Sequence, residues 1–451
     1  MTLTENKLKV IESETDKPKH RAVFWCFLVG LMALVYVRNI IEIEYPVELL
    51  LVYVGAMALF CDRDELVALA ISFIPFSSAF QYKYAIIVII AVYIFKFFAD
   101  LKKINLFAIV PLLAMMCWEL LHGILGAFSF AEYFRGFAEL ILCSFLLALP
   151  KKRYDLPFIS RVLAITVAFS CAVLLLILLE EVNYDFLKIF EDGNYRLGLT
   201  DEWPGSYIMN YNANGLGFMC NMSVVGLLLR IKIRKINPFD VLLIILIVFL
   251  GTLTLSRSYV ICLALAFILY AFSSGVKLGK VVKNTILVVF SLVALFFIVN
   301  LIAPYIIDNI IERFSEEDVT GGRAELLVWY FDYLFAEPSH ILFGTGMQDI
   351  FTKVTGYLGS SPLDVPHNGI QELLVVWGLP GIILLGVFMF NLVATASRAN
   401  KISFPMFIPI IVWFVMGMSG QWITSGKDML FLTWFYVVFC SKFEDKIGVK
   451  K

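Results

Sequence analysis

The chain has 451 residues, of which 60% are apolar and only 16% are charged, and its net charge is −1. Soluble domains carry about 25% charged residues, so this composition excludes an ordinary soluble domain. The apolar runs are continuous rather than alternating, which excludes a transmembrane β-barrel. We therefore predict an all-α polytopic membrane protein, whereas the balanced net charge by itself says nothing about partners.

About 14 apolar segments are long enough to be membrane spans, since a helix needs roughly 17 to 25 residues to cross a bilayer. Several of the segments are short, so the number is a count of candidates. In chain order they are 22–37, 46–61, 66–81, 84–98, 104–122, 133–150, 156–179, 206–229, 238–255, 258–274, 284–303, 367–392, 402–420 and 428–441.

Basic residues occur in every second connection between these segments, as the positive-inside rule requires. With the N-terminus inside, the basic connections all fall on the cytoplasmic side, and only 62–65 is weakly basic. This pattern predicts cytoplasmic tails at 1–21 and 442–451. The basic residues that establish it are Lys17, Lys19, Arg21, Lys102, Lys103, Lys151, Lys152, Arg153, Arg230, Lys232, Arg234, Lys235, Lys277, Lys280, Lys283, Arg398, Lys401, Lys442 and Lys446.

The same alternation divides the chain into two membrane regions separated by a long outer loop. We expect transmembrane helices 1–11 in 22–303, with an outer loop at 180–206, and helices 12–14 in 367–441. The large extracytoplasmic loop is 304–366. Within it, 324–335 has helical spacing and an apolar face, so we expect helix lying on or dipping into the outer interface.

Four arginines fall on the outer side, where basic residues are uncommon. Each alone would be explained by contact with lipid headgroups or pairing with a carboxylate, as Arg135 could pair with Glu139 one helical turn away. Together they favour a different interpretation, because guanidinium groups bind phosphate bidentately and stay charged. The strongest candidates for a pyrophosphate site are Arg196, Arg257 and Arg323, with Arg135 weaker.

His367 is the main candidate for acid–base chemistry, because it begins a membrane helix at the outer boundary, next to Asn368. Its imidazole could take a proton from a sugar hydroxyl. Glu372 follows more than one turn later and is the next candidate for a base. Glu119, like Glu372, is a carboxylate within or at the end of a span, where charge is costly and therefore indicates function. His122 and His340 are interpreted as hydrogen-bonded structural residues. The eight cysteines lie mostly in apolar runs with no CxxC pair, which predicts packed thiols without disulfides or zinc.

These residues resemble the O-antigen ligase/polymerase superfamily of bacterial inner-membrane glycosyltransferases. The resemblance rests on four motifs that span roughly 190–392. They are Arg196 with Asn212-Ala213-Asn214-Gly215; the span end at 254–258; Gly322-Arg323 with Trp329, Pro338, Gly344 and Gly346; and His367-Asn368 with Glu372, Gly378 and Gly381.

The resemblance implies a GT-C-like fold and a multi-pass protein of the bacterial plasma membrane whose active site faces the periplasm or cell exterior. The donor and acceptor would be undecaprenyl-pyrophosphate-linked glycans, and the reaction would invert the anomeric carbon without a metal or other cofactor. Membrane lipids and a chain-length regulator are the further partners, and no nucleic acid is expected. Implied substrate-binding residues are Arg196, Arg257, Arg323, Arg135, Asn214 and Asn368, and the implied catalytic residues are His367 and Glu372.

Three functions remain open at this point. A polymerase would transfer the glycan to another lipid-linked repeat unit, and we favour it because the segment count exceeds what we expect of ligases. A ligase would use the same donor but transfer to lipid A-core. A lipid or polysaccharide transporter is also many-helical, but internal repeats are typical of that class and none is evident here.

Overall fold

The computed structural model describes residues 21–76, 82–125, 130–148, 154–191, 195–198, 212–273, 323–347, 354, 356–357, 366–399, 402–418, 420 and 426–441. Within these ranges the regular structure is helical, with no strand. The helices are α1 (Ala22–Asn39), α2 (Val47–Phe60), α3 (Arg63–Phe76), α4 (Tyr82–Phe97), α5 (Leu106–Leu125), α6 (Phe130–Ala148), α7 (Leu156–Glu181), α8 (Lys188–Glu191), α9 (Ala213–Ile233), α10 (Pro238–Thr252), α11 (Arg257–Ser273), α12 (Arg323–Ala336), α13 (Pro338–Phe343), α14 (Gly369–Ala399), α15 (Ile408–Gly417) and α16 (Gly426–Phe439), with 3₁₀ turns at Phe98–Lys103 and Phe404–Phe407.

Six described helical segments are long and apolar enough to cross a membrane, and several shorter apolar helices of 10–17 residues accompany them. The described chain is therefore that of a helical membrane protein. The count of about 14 spans stays a prediction, because the segment 284–303 and both tails, apart from Arg21, lie outside the described residues. The long segments are Ala22–Asn39, Tyr84–Lys103, Leu106–Leu125, Leu156–Glu181, Ala213–Ile233 and Gly369–Ser397.

Most predicted spans coincide with helices, and the differences have local causes. The segment predicted at 402–420 begins as a 3₁₀ turn and becomes α15 only at Ile408, because Pro409 lacks the N–H that would donate to the Pro405 carbonyl in a continuous α-helix. The segment predicted at 367–392 is α14, which extends to Ala399 but is interrupted at Gly378. The described residues of the large loop include α12 and α13, and α12 confirms the expected helix at 324–335.

The helices run between two ends of the bundle, which we name by one residue at each. At the Asp155 end, Arg234 at the end of α9 and Arg21 before α1 both contact Asp155 at the start of α7. At the Asn368 end, α14 begins beside Met418 at the end of α15. Arg21 and Arg230–Arg234 thus share one end. Lys102–Lys103 lie there too, because the Asn105 amide donates to the Ala148 carbonyl at the end of α6, seven residues before Asp155.

Helices α7 and α9 form the centre of the bundle, and α9 is 83% buried whereas the span that includes α4 is only 28% buried. Glycines on α9 allow the close approach. A Cβ on Gly226 would lie 3.1 Å from Ser160 Cβ and 3.2 Å from the Trp434 ring, and one on Gly217 would lie 3.0 Å from Tyr259 Cβ. Small residues at such contacts let membrane helices pack backbone to backbone, which holds the start of α9 in a fixed position.

Candidate functional site

The segment 195–198 is held against the turn between α10 and α11. Arg196 Nε donates to the Thr254 carbonyl at 3.0 Å, and the Leu197 amide donates to the Leu253 carbonyl at 2.9 Å. Gly198 has φ +90°, and a Cβ there would lie 3.2 Å from Ala213 Cα at the start of α9. Arg196 is therefore fixed by backbone groups that become available where α10 ends.

The turn itself presents Arg257 as the first residue of α11. Leu255 has φ 48°, a left-handed conformation that costs a non-glycine residue about 1 to 2 kcal/mol. Ser256 follows it, and its Oγ donates to Asn214 Oδ1 at 2.8 Å while accepting from the Tyr259 amide at 3.4 Å. The hydroxyl thereby joins the first turns of α9 and α11, so Arg196, Asn214 and Arg257 come together.

The end of α15 lies between this group and the start of α14. Asn221 on α9 donates to the Tyr259 carbonyl at 3.2 Å and to Met416 Sδ at 3.3 Å. Two residues later, just after α15 ends, the Met418 carbonyl accepts from Asn368 Nδ2 at 3.4 Å. A chain of direct contacts therefore connects the arginine-bearing turn with the start of α14.

Asn368 is the N-cap of α14. Its Oδ1 accepts from the amides of Ile370 at 3.1 Å and Gln371 at 3.2 Å, and its carbonyl accepts from the Glu372 amide at 2.7 Å. His367 precedes the cap and is half-buried, whereas the Glu372 side chain is buried in the first turn. The cap fixes the helix start that carries both predicted catalytic residues.

Helix α14 is broken nine residues after it begins. Gly378 has φ 62° and ψ −158°, a conformation available essentially to glycine alone. Pro380 has no N–H, so the Val376 carbonyl has no donor four residues further along the helix. The first part of α14, which carries Glu372, is therefore a separate short helix.

A turn from the large loop supplies donors at this break. The amides of Thr345 and Gly346 donate to the carbonyls of Val375 and Val376, each at 2.7 Å. Trp118 Nε1 on α5 donates to the Trp377 carbonyl at 3.0 Å. Consecutive carbonyls at the break thus receive hydrogen bonds from outside α14.

Glycines on both sides permit this backbone contact. A Cβ on Gly344, which has φ +75°, would lie 2.5 Å from the Val376 carbonyl oxygen. A Cβ on Gly378 would lie 2.7 Å from the Ile341 carbonyl oxygen. We call the contact between 344–347 and 375–378 the loop clamp.

Glu119 on α5 completes the loop clamp, and the sequence had marked it only as an intramembrane carboxylate. Its Oε1 and Oε2 accept from the Met347 amide at 2.9 and 3.1 Å, and Oε2 also accepts from Trp377 Nε1 at 2.9 Å. The side chain is only 3% exposed. An acidic residue in an apolar helix, together with a Gly-Thr-Gly turn in the loop, was the available signal for this role.

For two of the predicted site residues, the structure describes the backbone only. Arg135 lies on α6 and Arg323 begins α12, but their side chains lie outside the described residues. Among the others, Arg196, Asn214 and Arg257 form one group and His367, Asn368 and Glu372 form another, with the end of α15 between them.

The two histidines interpreted as structural have the expected partners. His122 Nε2 lies 2.9 Å from the Phe343 carbonyl oxygen. His340 Nδ1 lies 2.6 Å from the Tyr333 carbonyl oxygen, and the two rings stack with centroids 4.0 Å apart. Burial raises the pKa of Tyr333 to about 12, so the phenol stays neutral beside His340.

The other groups with possible chemistry are the cysteines and the side chains that could bind a metal ion. The eight cysteines are free thiols, and Cys171 Sγ and Cys220 Sγ lie 3.7 Å apart. Six of them are buried, but the prediction of packed thiols is wrong for Cys26 and Cys117, which are exposed. No group of three or more His, Cys, Asp and Glu side chains converges in the described ranges. Comparison of the chain with protein-family models and with curated proteins found no match.

Proposed function

We propose that this protein is a polysaccharide polymerase related to the O-antigen ligase/polymerase superfamily. It joins undecaprenyl-pyrophosphate-linked repeat units at the outer leaflet of the bacterial plasma membrane. The proposal includes a GT-C-like arrangement of about 14 spans with the Asn368 end facing outward. The observation that carries it is the convergence of Arg196, Asn214 and the Arg257 turn at the end that also carries His367.

The arginine group has the chemistry that a departing pyrophosphate needs. Arg257 occupies the first position of α11, where the helix dipole also favours an anion. Arg196 is oriented by the Thr254 carbonyl beside the same turn. Guanidinium groups held in advance stabilise negative charge as it develops, without having to reorganise during the reaction.

His367 and Glu372 supply the candidate bases. The acceptor hydroxyl attacks the anomeric carbon, the bond from that carbon to the pyrophosphate oxygen breaks, and the electron pair leaves with undecaprenyl pyrophosphate. The hydroxyl proton passes to His367 in this scheme, and Glu372 is the alternative acceptor. Inversion follows from a single displacement.

A broken membrane helix is also typical of transporters, in which freed carbonyls bind ions or substrate near the middle of the bilayer. In α14, however, the carbonyls of Val375, Val376 and Trp377 already accept hydrogen bonds from the loop clamp and Trp118. They are thus engaged in holding a loop, and the predicted substrate residues lie near the helix start. These contacts favour glycan transfer at one end of the bundle over transport of a substrate through the bundle.

The test is synthesis by the purified protein in nanodiscs supplied with a lipid-linked repeat unit. The wild type should produce a ladder of products. R257A should slow it about 100- to 1000-fold, because removal of one positioned donor to developing negative charge has about that effect. R257K keeps the charge but loses the planar fork, so an intermediate rate is expected. K188A, at an exposed lysine just after α7 at the Asn368 end, is the matched control and should be unaffected.

Further conditions separate the alternatives. Products only after addition of lipid A-core would identify a ligase, and movement of lipid without glycosidic bond formation would identify a transporter. Normal turnover by H367A would transfer the base role to Glu372, and loss of activity with EDTA that a divalent ion restores would refute the metal-free mechanism. A normal ladder from R257A in correctly inserted protein would refute the pyrophosphate assignment.

A further inference from the structure

The Asp155 end contains ion pairs that the proposed reaction does not use. Asp155 caps α7, since its Oδ1 accepts from the Phe158 amide at 3.1 Å. The same carboxylate pairs with Arg21 at 2.8 Å and with Arg234 at 3.4 Å. One carboxylate is thus shared by two guanidinium groups from different helices.

A second arginine pair shares Asp240, which is fully buried near the start of α10. Arg161 on α7 donates to Asp240 Oδ1 through Nε at 3.0 Å and Nη2 at 2.7 Å. Arg230 on α9 donates to Asp240 Oδ2 through Nη1. Here too, one carboxylate is held between two guanidinium groups.

The two groups lie side by side because both use α7 and α9. Arg230 and Arg234 are one turn apart on α9, and Arg161 is less than two turns from Asp155 on α7. We call the set the Asp155 cluster. Its members are Arg21, Arg161, Arg230 and Arg234 with Asp155 and Asp240, so among the described residues these ion pairs set four guanidinium charges against two carboxylates, a surplus of two positive charges.

The surplus charge is accessible, and it borders an apolar surface. The side chain of Arg234 is 57% exposed and that of Arg161 is 25% exposed, whereas that of Arg230 is only 7% exposed. The Arg161 guanidinium lies 5.5 Å from the ring centroid of Phe239 at the start of α10. From there an exposed apolar stripe runs along α10 through Phe239, Leu242, Ile245 and Phe249.

We propose that the Asp155 cluster binds the phosphate headgroup of one anionic phospholipid, whose acyl chain lies along the α10 stripe. Guanidinium forks match phosphate oxygens, and basic pockets between membrane helices are suited to anionic headgroups. The charge surplus selects an anionic lipid over a zwitterionic one. The stripe selects a lipid over a soluble phosphate, because only a lipid can contact the Asp155 cluster with its headgroup and the α10 stripe with its acyl chain.

The experiment measures lipid retention and thermal unfolding of the purified full chain in detergent micelles. Phosphatidylglycerol should raise the unfolding temperature saturably and remain bound at one molecule per chain in native mass spectrometry. Phosphatidylcholine, which has the same phosphate with a compensating choline, should do neither. R234Q should weaken phosphatidylglycerol binding about fivefold, because it removes one guanidinium group that contacts the headgroup phosphate directly.

R21Q is the second variant, and both substitutions spare the buried Asp240 pair, so the fold should survive them. K103Q, which removes one charge from a 77% exposed lysine at the same end, should leave lipid binding unchanged. Equal stabilisation by phosphatidylglycerol and phosphatidylcholine would overturn the proposal. Unchanged phosphatidylglycerol binding by the double variant R21Q/R234Q would overturn it too. Stabilisation by inorganic phosphate or pyrophosphate equal to that by the lipid would overturn it as well, since the site would then be one for a soluble anion.

Discussion

The Asp155 end and the Asn368 end of the bundle satisfy their polar groups with different kinds of partner. At the Asp155 end, charged side chains pair with each other, as Arg161 and Arg230 do with Asp240. At the Asn368 end, key side chains bond to main-chain groups, as Arg196 does to Thr254 and Glu119 to Met347. The second arrangement ties each side chain to the exact path of the backbone, which suits a site that must position groups for a reaction.

The largest expected effect at the Asp155 end comes from D240N. The substitution leaves Arg161 and Arg230 beside a neutral amide, and loss of one partner of a buried charge pair costs about 3 to 5 kcal/mol. Thermal unfolding in detergent and the amount of inserted protein measure the loss. D100N is the control, because Asp100 is 43% exposed and pairs with Arg63 at 3.3 Å. Its effect should stay within about 1 kcal/mol, and equal losses in the two variants would contradict the distinction.

The next effect tests the loop clamp at the Asn368 end through G378A. Alanine is strained at φ 62°, which alone costs about 1 to 3 kcal/mol, and its Cβ would meet the Ile341 carbonyl. Hydrogen exchange of the Thr345 and Gly346 amides should accelerate as their bonds to α14 weaken. G386A is the matched control on the same helix, since nothing lies within 4 Å of a Cβ there.

G386A should be neutral or stabilise by about 0.5 to 1 kcal/mol, as glycine does poorly inside a helix. Unchanged amide exchange in G378A would show that the loop is not held by the break.

The smallest effect separates capping from substrate binding at Asn368. N368A removes the acceptor for the Ile370 and Gln371 amides, which should cost about 0.5 to 2 kcal/mol. N368D keeps a good cap, so it should restore the unfolding temperature. If Asn368 acts only as a cap, N368D also restores polymer synthesis. If it contacts the pyrophosphate, the added negative charge leaves synthesis low although the fold is stable.

Much of the fold could be predicted because each apolar run is a local signal. The segment predicted at 238–255 is α10, which begins at Pro238 and ends at Thr252. The Asn237 side chain caps its start by accepting a hydrogen bond from the Phe239 amide. The break at Gly378 was missed, because a glycine and a proline two residues apart are tolerated in many membrane helices. Only the loop turn that donates to the exposed carbonyls makes the interruption stable.

The candidate site was predicted in part. Arg196 and Arg257 were chosen for their charge on the predicted outer side, and Asn214 was implied by the family resemblance. The structure joins the three through Ser256, which had been given no role. Glu119 was recognised as costly in a membrane but received no role, because its partners Met347 and Trp377 are more than 220 residues away in sequence.

The sequence by itself determined that the chain is a bundle of apolar helices with basic residues gathered at one end, because hydropathy and charge are properties of each segment alone. Only the tertiary structure decided which helix ends meet, where α14 breaks, and which carbonyls accept the clamp. Those outcomes depend on backbone groups that every residue carries, and such groups acquire a partner only when distant segments pack together.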